Sequence, residues 1–562
     1  MRNGKCRPVV AVVLASVLGL ALMAAGAGCG GEEVTPPDSI RDTFQLDADS
    51  QGCLEVVSNI VNTSVVSNDP NVYKAEYEAG FIQGKLQKDA IISYRDNTWD
   101  SAYLLDPSHT YPKQIPPTRD ELAMAERTLV ANWDYTMDFI RAEGTTQAGK
   151  GLRQLMYRLI GIHDGSTTGE PQALAFDDSW FPQYSGGELT LGYETAGLTF
   201  LDVYFVNASA DMFYLLPDHA PPQAALPSSP LISTAMERPS KCSAFVKKTG
   251  DDIYLTHNSW NTFMDQSQSL SLWVNGDFMT ANLSGPGFIC SGADFGYNNR
   301  GIIFNETTHR YSYSEPKVDA LWMFWRAALA EQFSSSIDEF FDYISLEASG
   351  TYMNGYMVVD TNRDEIGLVE MSYQSFVFYR PDGQGGVAVS TKPEGLSTAY
   401  DTELVQPDFI LGINYPASLL IREELQPQDN RPARRRQFMA QIGGVSDVES
   451  AKALITYTDP QNPLSIYGRW DLGYGETPEP KTIPDGSVDA KAVSASMVRD
   501  TYDLEGVLDY GSPVKAFWMK FGTPYVDGKP FIWSESQWSD QRLRDAPDAV
   551  DGQWELLNAY IR

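Results

Sequence analysis

The sequence predicts a layered α+β fold, and two observations support this. Residues 74–160 carry apolar side chains at helical spacing, whereas short β-like runs dominate the stretch that follows Cys242. These strands follow one another instead of alternating with helices, which argues against a doubly wound parallel sheet. With 562 residues, 43% of them hydrophobic and 12% aromatic, the chain has the composition of a globular protein with a large core.

The N-terminal segment has the pattern of an export signal. Arg2, Lys5 and Arg7 precede an apolar run over residues 9–25, and small residues then lead to Cys29. This arrangement predicts a secretory signal over residues 1–29. Cys29 also fits a bacterial lipoprotein signal whose cysteine becomes lipidated, so an outer-membrane or periplasmic lipoprotein and a secreted protein both remain open. The polar residues 30–70 are expected to form a tether.

Residues 71–215 are expected to form the N-terminal part of the fold. Thr118 and Glu121 match a capping box at the start of a helix. The glycines of the run Tyr77–Gly84 predict a close helix–helix contact. The apolar residues of 187–206 indicate strands.

A proline-rich stretch, residues 216–241, divides the chain and contains six prolines. Cys242 then opens a strand-like run, and residues 242–562 are expected to complete the same fold. Pro316 suits the first turn of a helix that would run to about Phe333. Residues 357–360 and 366–371 predict a hairpin. A thiol at the start of a strand, directly after a linker, suits a self-cleaving enzyme with an N-terminal nucleophile.

Charge and cysteine content limit the partners of the chain. A net charge of −32 disfavours binding to nucleic acid, because phosphate backbones are repelled. Export would leave Cys53, Cys242 and Cys290 as internal thiols, an odd number that leaves at least one outside an intrachain disulfide. Whether Cys53 and Cys290 pair depends on a Cα–Cα distance that the sequence does not give.

The sequence lacks the motifs of several common enzyme classes. The sequence contains no Gly-x-Ser-x-Gly, no His-Glu-x-x-His and no Gly-x-x-x-x-Gly-Lys-Ser/Thr. The five histidines are not spaced as a zinc pair. Neither a metal nor another cofactor is therefore expected.

A set of motifs in a fixed order resembles the phospholipase B-like (lamina-ancestor) family, over roughly residues 70–560. The core of the match is Cys242-Ser243-Ala244 followed by His257-Asn258-Ser259-Trp260. The further matching segments, in chain order, are Tyr77–Gly80, Gly161–Asp164, Gly285–Phe288 with Asp294-Phe295, Glu306–Thr308, Gly350–Asn354, Val358–Asp360, Asn414–Pro416, Arg434–Phe438 and Asp489–Lys491.

The resemblance implies an N-terminal-nucleophile hydrolase fold, a four-layer αββα sandwich with a helical N-terminal segment. It also implies autocatalytic cleavage between Lys241 and Cys242, although the family pattern has a small residue where Lys241 stands. Cys242 would then carry both the nucleophilic thiol and a free α-amine, which titrates near 8 and can accept the thiol proton.

The resemblance further implies roles for five neighbours of the nucleophile. Asn414 would stabilise the oxyanion. An arginine of the run 434–436 would orient the α-amine or a carbonyl, with Arg434 as the first candidate and Arg435 as the alternative. His257 and Trp260 would line the pocket, with Asn258 as a supporting residue.

The function expected from the resemblance is an exported hydrolase that cleaves acyl esters of phospholipids through a thioester on Cys242. An amidase acting on N-acyl amides or peptide-like substrates is the alternative. A surface lipoprotein that binds without catalysis is a third interpretation. The sequence does not indicate an oligomeric state.

Overall fold

The computed structural model describes residues 40–57, 60–100, 117–177, 179, 190–215, 242–263, 269–275, 278–292, 294–309, 315–427, 432–472, 484–500, 514–539, 542 and 547–559. The predicted signal over residues 1–29, the candidate lipidation site Cys29, the linker 216–241 and Lys241 lie outside these residues.

A large sheet of eleven strands forms one half of the core. All neighbouring strands run antiparallel except β3 and β7, which are parallel. In spatial order the strands are β1 (Ile40–Gln45), β2 (Ser50–Val57), β3 (Ile60–Ser67), β7 (Ser269–Asn275), β8 (Phe278–Ser284), β9 (Phe295–Asn298), β10 (Ile302–Thr308), β11 (Asn354–Asp360), β12 (Glu365–Met371), β13 (Phe376–Pro381) and β14 (Val387–Lys392).

A second sheet of seven antiparallel strands forms the other half. Its order is β15 (Val405–Gln406), β16 (Phe409–Gly412), β4 (Ser243–Lys248), β5 (Ile253–Asn258), β18 (Asp489–Ser494), β19 (Val514–Phe521) and β22 (Trp554–Ala559). Two short pairs accompany it, β6 (Trp260–Thr262) with β17 (Asp485–Ser487) and β20 (Phe531–Ile532) with β21 (Ala549–Val550).

Ten α-helices are found in the described part of the chain. They are α1 (Val72–Asp100), α2 (Arg119–Ala142), α3 (Gln147–Thr167), α4 (Phe200–Leu215), α5 (Met323–Phe333), α6 (Ile337–Ile344), α7 (Leu419–Leu425), α8 (Pro432–Gln441), α9 (Val448–Ile455) and α10 (Ala495–Arg499).

The two sheets pack face to face between two helical layers. β10 and β11 of the large sheet contact β4 of the small one, and Asn305 Nδ2 on β10 donates to the carbonyl of Thr256 on β5 at 2.8 Å. Helices α1, α5 and α6 cover the outer face of the large sheet, while α9 and α10 cover that of the small sheet. The predicted α+β class and the αββα order are therefore confirmed.

Three local predictions are confirmed. Thr118 and Glu121 form the predicted capping box at the start of α2. The glycine contact is also present between α1 and α3, because a Cβ on Gly84 would meet the carbonyl oxygen of Ile162 at 2.1 Å. The hairpin predicted over residues 357–371 is formed by β11 and β12.

Three element predictions are wrong. Residues 30–70 are not a tether over their described part, because β1, β2 and β3 extend the large sheet there. The strands expected over residues 187–206 are replaced from Phe200 onward by helix α4. The helix expected from Pro316 begins only at Met323, because Lys317 and Leu321 donate backbone hydrogen bonds to Ser349 and Glu347 and so keep the chain extended.

Two further observations concern export and redox state. Within the described residues, no helix is both long and apolar enough to cross a membrane. Cys53 and Cys290 are both buried and are not joined by a disulfide.

Candidate active site

Cys242 lies directly before β4. This strand belongs to the small sheet and contacts the large sheet. The side chain of Cys242 is buried, with 6% of its surface exposed. The neighbouring strand β5 places His257 beside Ala244, and β18 places Lys491 beside His257. The thiol therefore opens into the space between the two sheets.

Arg434 on α8 fixes the main chain at Cys242. Its Nη1 donates to the carbonyl oxygen of Cys242 at 2.7 Å and to Ser243 Oγ at 3.0 Å. Its Nη2 donates to the carbonyl oxygen of Ile413 at 3.0 Å. The planar guanidinium thus joins the start of β4 to the loop after β16, which a single-point lysine ammonium could not do.

Asn258 supports the same region from β5. Its Oδ1 accepts the backbone N–H of Ser243 at 3.2 Å, and its Nδ2 donates to the carbonyls of Ile455 and Ile466. Both the oxygen and the nitrogen of the amide make hydrogen bonds with backbone groups, so Asn258 holds in place the strand that follows the thiol.

His257 is buried against a lysine. Lys491 Nζ lies 3.0 Å from His257 Nδ1 and donates to Ser259 Oγ and Asp489 Oδ1, both at 2.7 Å. Burial and the charge of Lys491 lower the pKa of His257 well below its ordinary value. The imidazole is therefore neutral near neutral pH.

The thiol of Cys242 lies beside carboxylates. Burial, followed by the charges of Asp294 and Glu306, raises the pKa of the Cys242 thiol, while a backbone hydrogen bond with Trp260 lowers it. A buried thiol beside anions is a poor nucleophile until a base removes its proton. The site therefore needs a proton acceptor next to Cys242.

The half-buried Asp294 and the fully buried Glu306 form an acidic pair. They are joined by a side-chain hydrogen bond, and Tyr352 Oη reaches both, at 3.2 Å from Asp294 Oδ1 and 2.7 Å from Glu306 Oε1. Burial raises the pKa of both carboxyls, that of Glu306 by more. The hydrogen bond between them raises the pKa of Glu306 and lowers that of Asp294, so Asp294 is the member of the pair that loses its proton first as the pH rises.

Asn414, the second residue after β16, is buried in a left-handed backbone conformation with φ of +59°. Its Oδ1 lies 3.4 Å from Arg434 Nη2, and its Nδ2 donates to the carbonyl of Thr308 at 2.8 Å. An amide nitrogen carries two hydrogens. The second hydrogen is the one that could serve an oxyanion.

Trp260 begins β6 and is fully buried. Its ring packs on Gly468, where a Cβ would meet ring atoms at 2.3 Å. Only glycine fits under this ring, so Gly468 sets the position of the tryptophan beside the thiol.

The structure brings together the six residues assigned from the sequence: Cys242, His257, Asn258, Trp260, Asn414 and Arg434. Sequence reasoning gave no role to Asp294, Glu306, Tyr352 and Lys491, which surround the same thiol. A signal for two of them was present, because Glu306 is a charged residue shortly after the apolar run Ile302–Phe304 and Lys491 is one between two alanines.

Three residues at this site could in principle bind a metal ion. One potential ligand atom each of Cys242, His257 and Asp294 lies within 4.8 Å of the others. A metal on His257 Nε2 would require a proton on Nδ1, where Lys491 already donates. The lysine therefore opposes a metal at this position.

Comparisons with known proteins agree on one family. The Phospholipase B family profile matches residues 185–378. Phospholipase B-like protein C of Dictyostelium discoideum is 22% identical over 412 residues, covering 65% of this chain and 68% of that protein. Phospholipase B-like 1 of Rattus norvegicus is 28% identical over 183 residues, covering 30% and 32%. Phospholipase-B 81 of Drysdalia coronoides is 25% identical over 374 residues, covering 59% and 64%.

The aligned part spans less than two thirds of the rat and Drysdalia proteins. A solved structure, that of a mutant conjugated bile acid hydrolase from Clostridium perfringens, matches at 11% identity with a TM-score of 0.29, covering 57% of this chain and 98% of that one. The profile and the relatives confirm the resemblance that the motifs indicate.

Proposed function

We propose that this relative of the phospholipase B-like proteins is an exported acyl hydrolase that cleaves itself before Cys242 and uses the freed cysteine as its nucleophile. The observation that supports this most directly is the position of Cys242. Its buried thiol stands at the start of a central strand, and its own carbonyl is held by Arg434 at 2.7 Å.

Cleavage of the Lys241–Cys242 bond gives Cys242 an α-amine. An α-amine titrates near 8, so a fraction is neutral near neutral pH and accepts the thiol proton. The thiolate attacks the acyl carbonyl of the substrate and forms a thioester, which water then resolves. One residue thus supplies nucleophile and base.

The tetrahedral intermediate carries an oxyanion that needs fixed donors. The second amide hydrogen of Asn414 is a candidate donor, because Arg434 and Thr308 already fix the orientation of this amide. Trp260 contributes shape, since its ring is held in place on Gly468.

The relatives carry phospholipase names, so an acyl ester of a phospholipid is the first substrate class to test. The pattern of residues 1–29 supports export, with Cys29 as a lipid anchor or with secretion as the alternative.

Self-processing is tested by intact mass and N-terminal sequencing of the purified protein. Wild type and Cys290→Ala are expected to give a fragment that begins at Cys242, whereas Cys242→Ala stays whole over this region. Cys290 is a matched control because it is also a buried cysteine, with 4% of its surface exposed. A wild type that stays whole would leave a non-catalytic lipoprotein as the better interpretation.

Substrate class is tested on processed protein with a phosphatidylcholine and an N-acyl amino acid of the same chain length. Release of fatty acid from the ester, lost in Cys242→Ala, is the expected result. Turnover of the amide alone would replace the phospholipase assignment with the amidase. Cleaved protein inactive on both substrates would contradict both assignments.

A further inference from the structure

The self-cleavage proposed above raises a chemical problem at Cys242. Before the Lys241–Cys242 bond is cut, the nitrogen of Cys242 belongs to an amide and cannot act as a base. The buried thiol must nevertheless lose its proton in order to attack. Another group near Sγ has to take that proton in the single chain.

Two groups beside the thiol could accept a proton, namely the imidazole of His257 and the carboxylate of Asp294. A ligand atom of each lies within 4.8 Å of Sγ and of the other. Such spacing leaves a proton acceptor within reach after a small side-chain movement or through one water.

His257 is occupied. A lysine ammonium only donates, so Lys491 at 3.0 Å makes Nδ1 of His257 the acceptor and leaves the ring proton on Nε2. The one basic lone pair of the neutral ring therefore already points at Lys491.

Asp294 is fixed in position by hydrogen bonds to its backbone and to its side chain. Its backbone has φ of +60°, and its carbonyl accepts the N–H of Glu306 at 3.1 Å, which fixes it to β10. Tyr352, with φ of +44°, directs its hydroxyl at both carboxyls. Strained backbone at two neighbouring polar residues is typical of functional sites.

We propose that Asp294 is a further catalytic residue, which takes the thiol proton of Cys242 in the single chain, with Glu306 and Tyr352 as its positioning residues. The inference rests on the proposed self-cleavage. It adds a base that acts only while the α-amine is still bound in the peptide.

The step balances without any cofactor. The Cys242 S–H bond breaks and its proton moves to Asp294, while a bond forms between Sγ and the carbonyl carbon of Lys241. Asp294 then returns the proton to the nitrogen of Cys242 as the C–N bond breaks, which leaves a thioester and a free amine. Water adds to the thioester, releasing the Lys241 carboxylate and the thiol.

Asp294→Asn tests the role, because it keeps the size of the side chain and an oxygen for Tyr352 but cannot accept the proton. Cleavage followed by mass spectrometry over time is expected to slow about tenfold or more relative to wild type. Glu331→Gln is the matched control. Its buried carboxyl receives Asn282 Nδ2 and Ser291 N on one oxygen, which the amide oxygen can replace.

The pH profile provides a readout that a purely structural role would not move. Burial raises the pKa of Asp294 to about 6. Wild-type cleavage should therefore fall as the pH drops below 6, and Asp294→Asn should lose this dependence. The titratable and charged groups facing Asp294 are Cys242, His257, Cys290, Glu306, Glu331, Tyr352, Tyr356, Asp489 and Lys491.

Tyr352→Phe is the second variant and should slow cleavage less than Asp294→Asn, because it removes the hydroxyl that contacts the pair but leaves the carboxylate that accepts the proton. If Asp294→Asn cleaves at the wild-type rate while Cys242→Ala stays whole, the role of Asp294 is overturned and the proposed function stands. If wild type itself never cleaves, the proposed function fails and this inference fails with it.

Discussion

At the residue scale, three of the eight non-glycine residues with positive φ in the described part of the chain belong to the network around one thiol. Asp294, Tyr352 and Asn414 are non-glycine residues with φ between +44° and +60°. Each of these conformations costs free energy that the surrounding structure must offset. All three belong to the hydrogen-bond network around Cys242, which is where such strain is expected if the site is catalytic.

Arg434→Lys tests whether the guanidinium fork is required. A lysine can replace one of its donors but not the joint contact with Cys242, Ser243 and Ile413. We expect a loss of about 2–4 kcal/mol in the free energy of unfolding and a slower appearance of the fragment beginning at Cys242. Urea unfolding and intact mass measure the two effects.

The control for that variant is the neighbouring Arg435→Lys. Arg435 pairs with Asp401 at 3.2 Å near the surface, where a lysine can also pair. Wild-type processing in Arg434→Lys would show that the region needs only a positive charge at this position. Equal loss of processing in both variants would show that the effect is not specific to the contacts of Arg434.

Glu370 on β12 gives a prediction for pH. It is buried, accepts the backbone N–H of Ala417 and Ser418, and has its pKa raised by burial to about 7. The folded state therefore holds the proton more tightly than the unfolded chain, whose pKa is near 4.5. Stability from this group is present below pH 4.5 and is lost as the pH rises to about 7.

Glu370→Gln, which cannot ionise, should remove that dependence. Relative to the variant, wild type should lose roughly 3 kcal/mol of unfolding free energy between pH 4.5 and 7. Urea unfolding at a series of pH values measures it, with the exposed Glu394→Gln as control. Parallel curves for wild type and Glu370→Gln would contradict the assignment, even if the variant is less stable throughout.

At the element scale, α1 and α3 depend on reciprocal glycines. A Cβ on Gly161 would meet the carbonyl oxygen of Tyr77 at 2.1 Å, and one on Gly80 would meet that of Arg158 at 2.2 Å. Each helix therefore presents glycine to the backbone of the other. Such an approach leaves no room for a methyl group unless the helices separate.

Gly161→Ala is expected to lower the free energy of unfolding by about 3 kcal/mol or more, because both helices must shift at once. Gly169→Ala is its control, since a Cβ there meets nothing within 4 Å, and its effect should stay within about 0.5 kcal/mol. Similar unfolding midpoints for the two variants would show that the contact can relax.

The elements that the sequence predicted correctly depend on local signals. The capping box of α2 and the glycines of α1 can be recognised within a few residues. Helix α4 was missed because a short apolar run is compatible with either a strand or a fully buried helix. Its signal was Thr199 and Asp202, which cap each other through Asp202 N to Thr199 Oγ1 at 3.1 Å and Thr199 N to Asp202 Oδ2 at 2.8 Å.

The start of α5 could not have been found locally. Its first N–H groups, those of Met323 and Phe324, donate to the carboxylate of Asp211 on α4, at 2.8 and 3.2 Å. The cap is thus supplied from a distant part of the chain. Asp294 and Glu306 meet locally across the hairpin of β9 and β10, but their position beside Cys242 is a product of the tertiary fold, which explains why no role was assigned to them.

At the scale of the whole molecule, the proposed cleavage divides two interlocked segments. Residues before the linker supply β1, β2 and β3 of the large sheet and helices α1 to α4. β3 pairs with β7 from Val61↔Ser269 to Ser67↔Asn275, and α3 and α4 pack on α5. Both segments share one buried core, so separating them would expose apolar surface on each.

We therefore expect the two fragments to stay together after cleavage. The sharpest test uses Cys242→Ala, which does not process itself, with a site-specific protease sequence inserted within residues 216–241. After complete cutting, size-exclusion chromatography should give one peak at the volume of the uncut chain, whereas denaturing electrophoresis should give two bands. The same insertion without protease is the control. Fragments that elute separately would mean that the strand pairing between β3 and β7 and the shared core do not hold the two segments together.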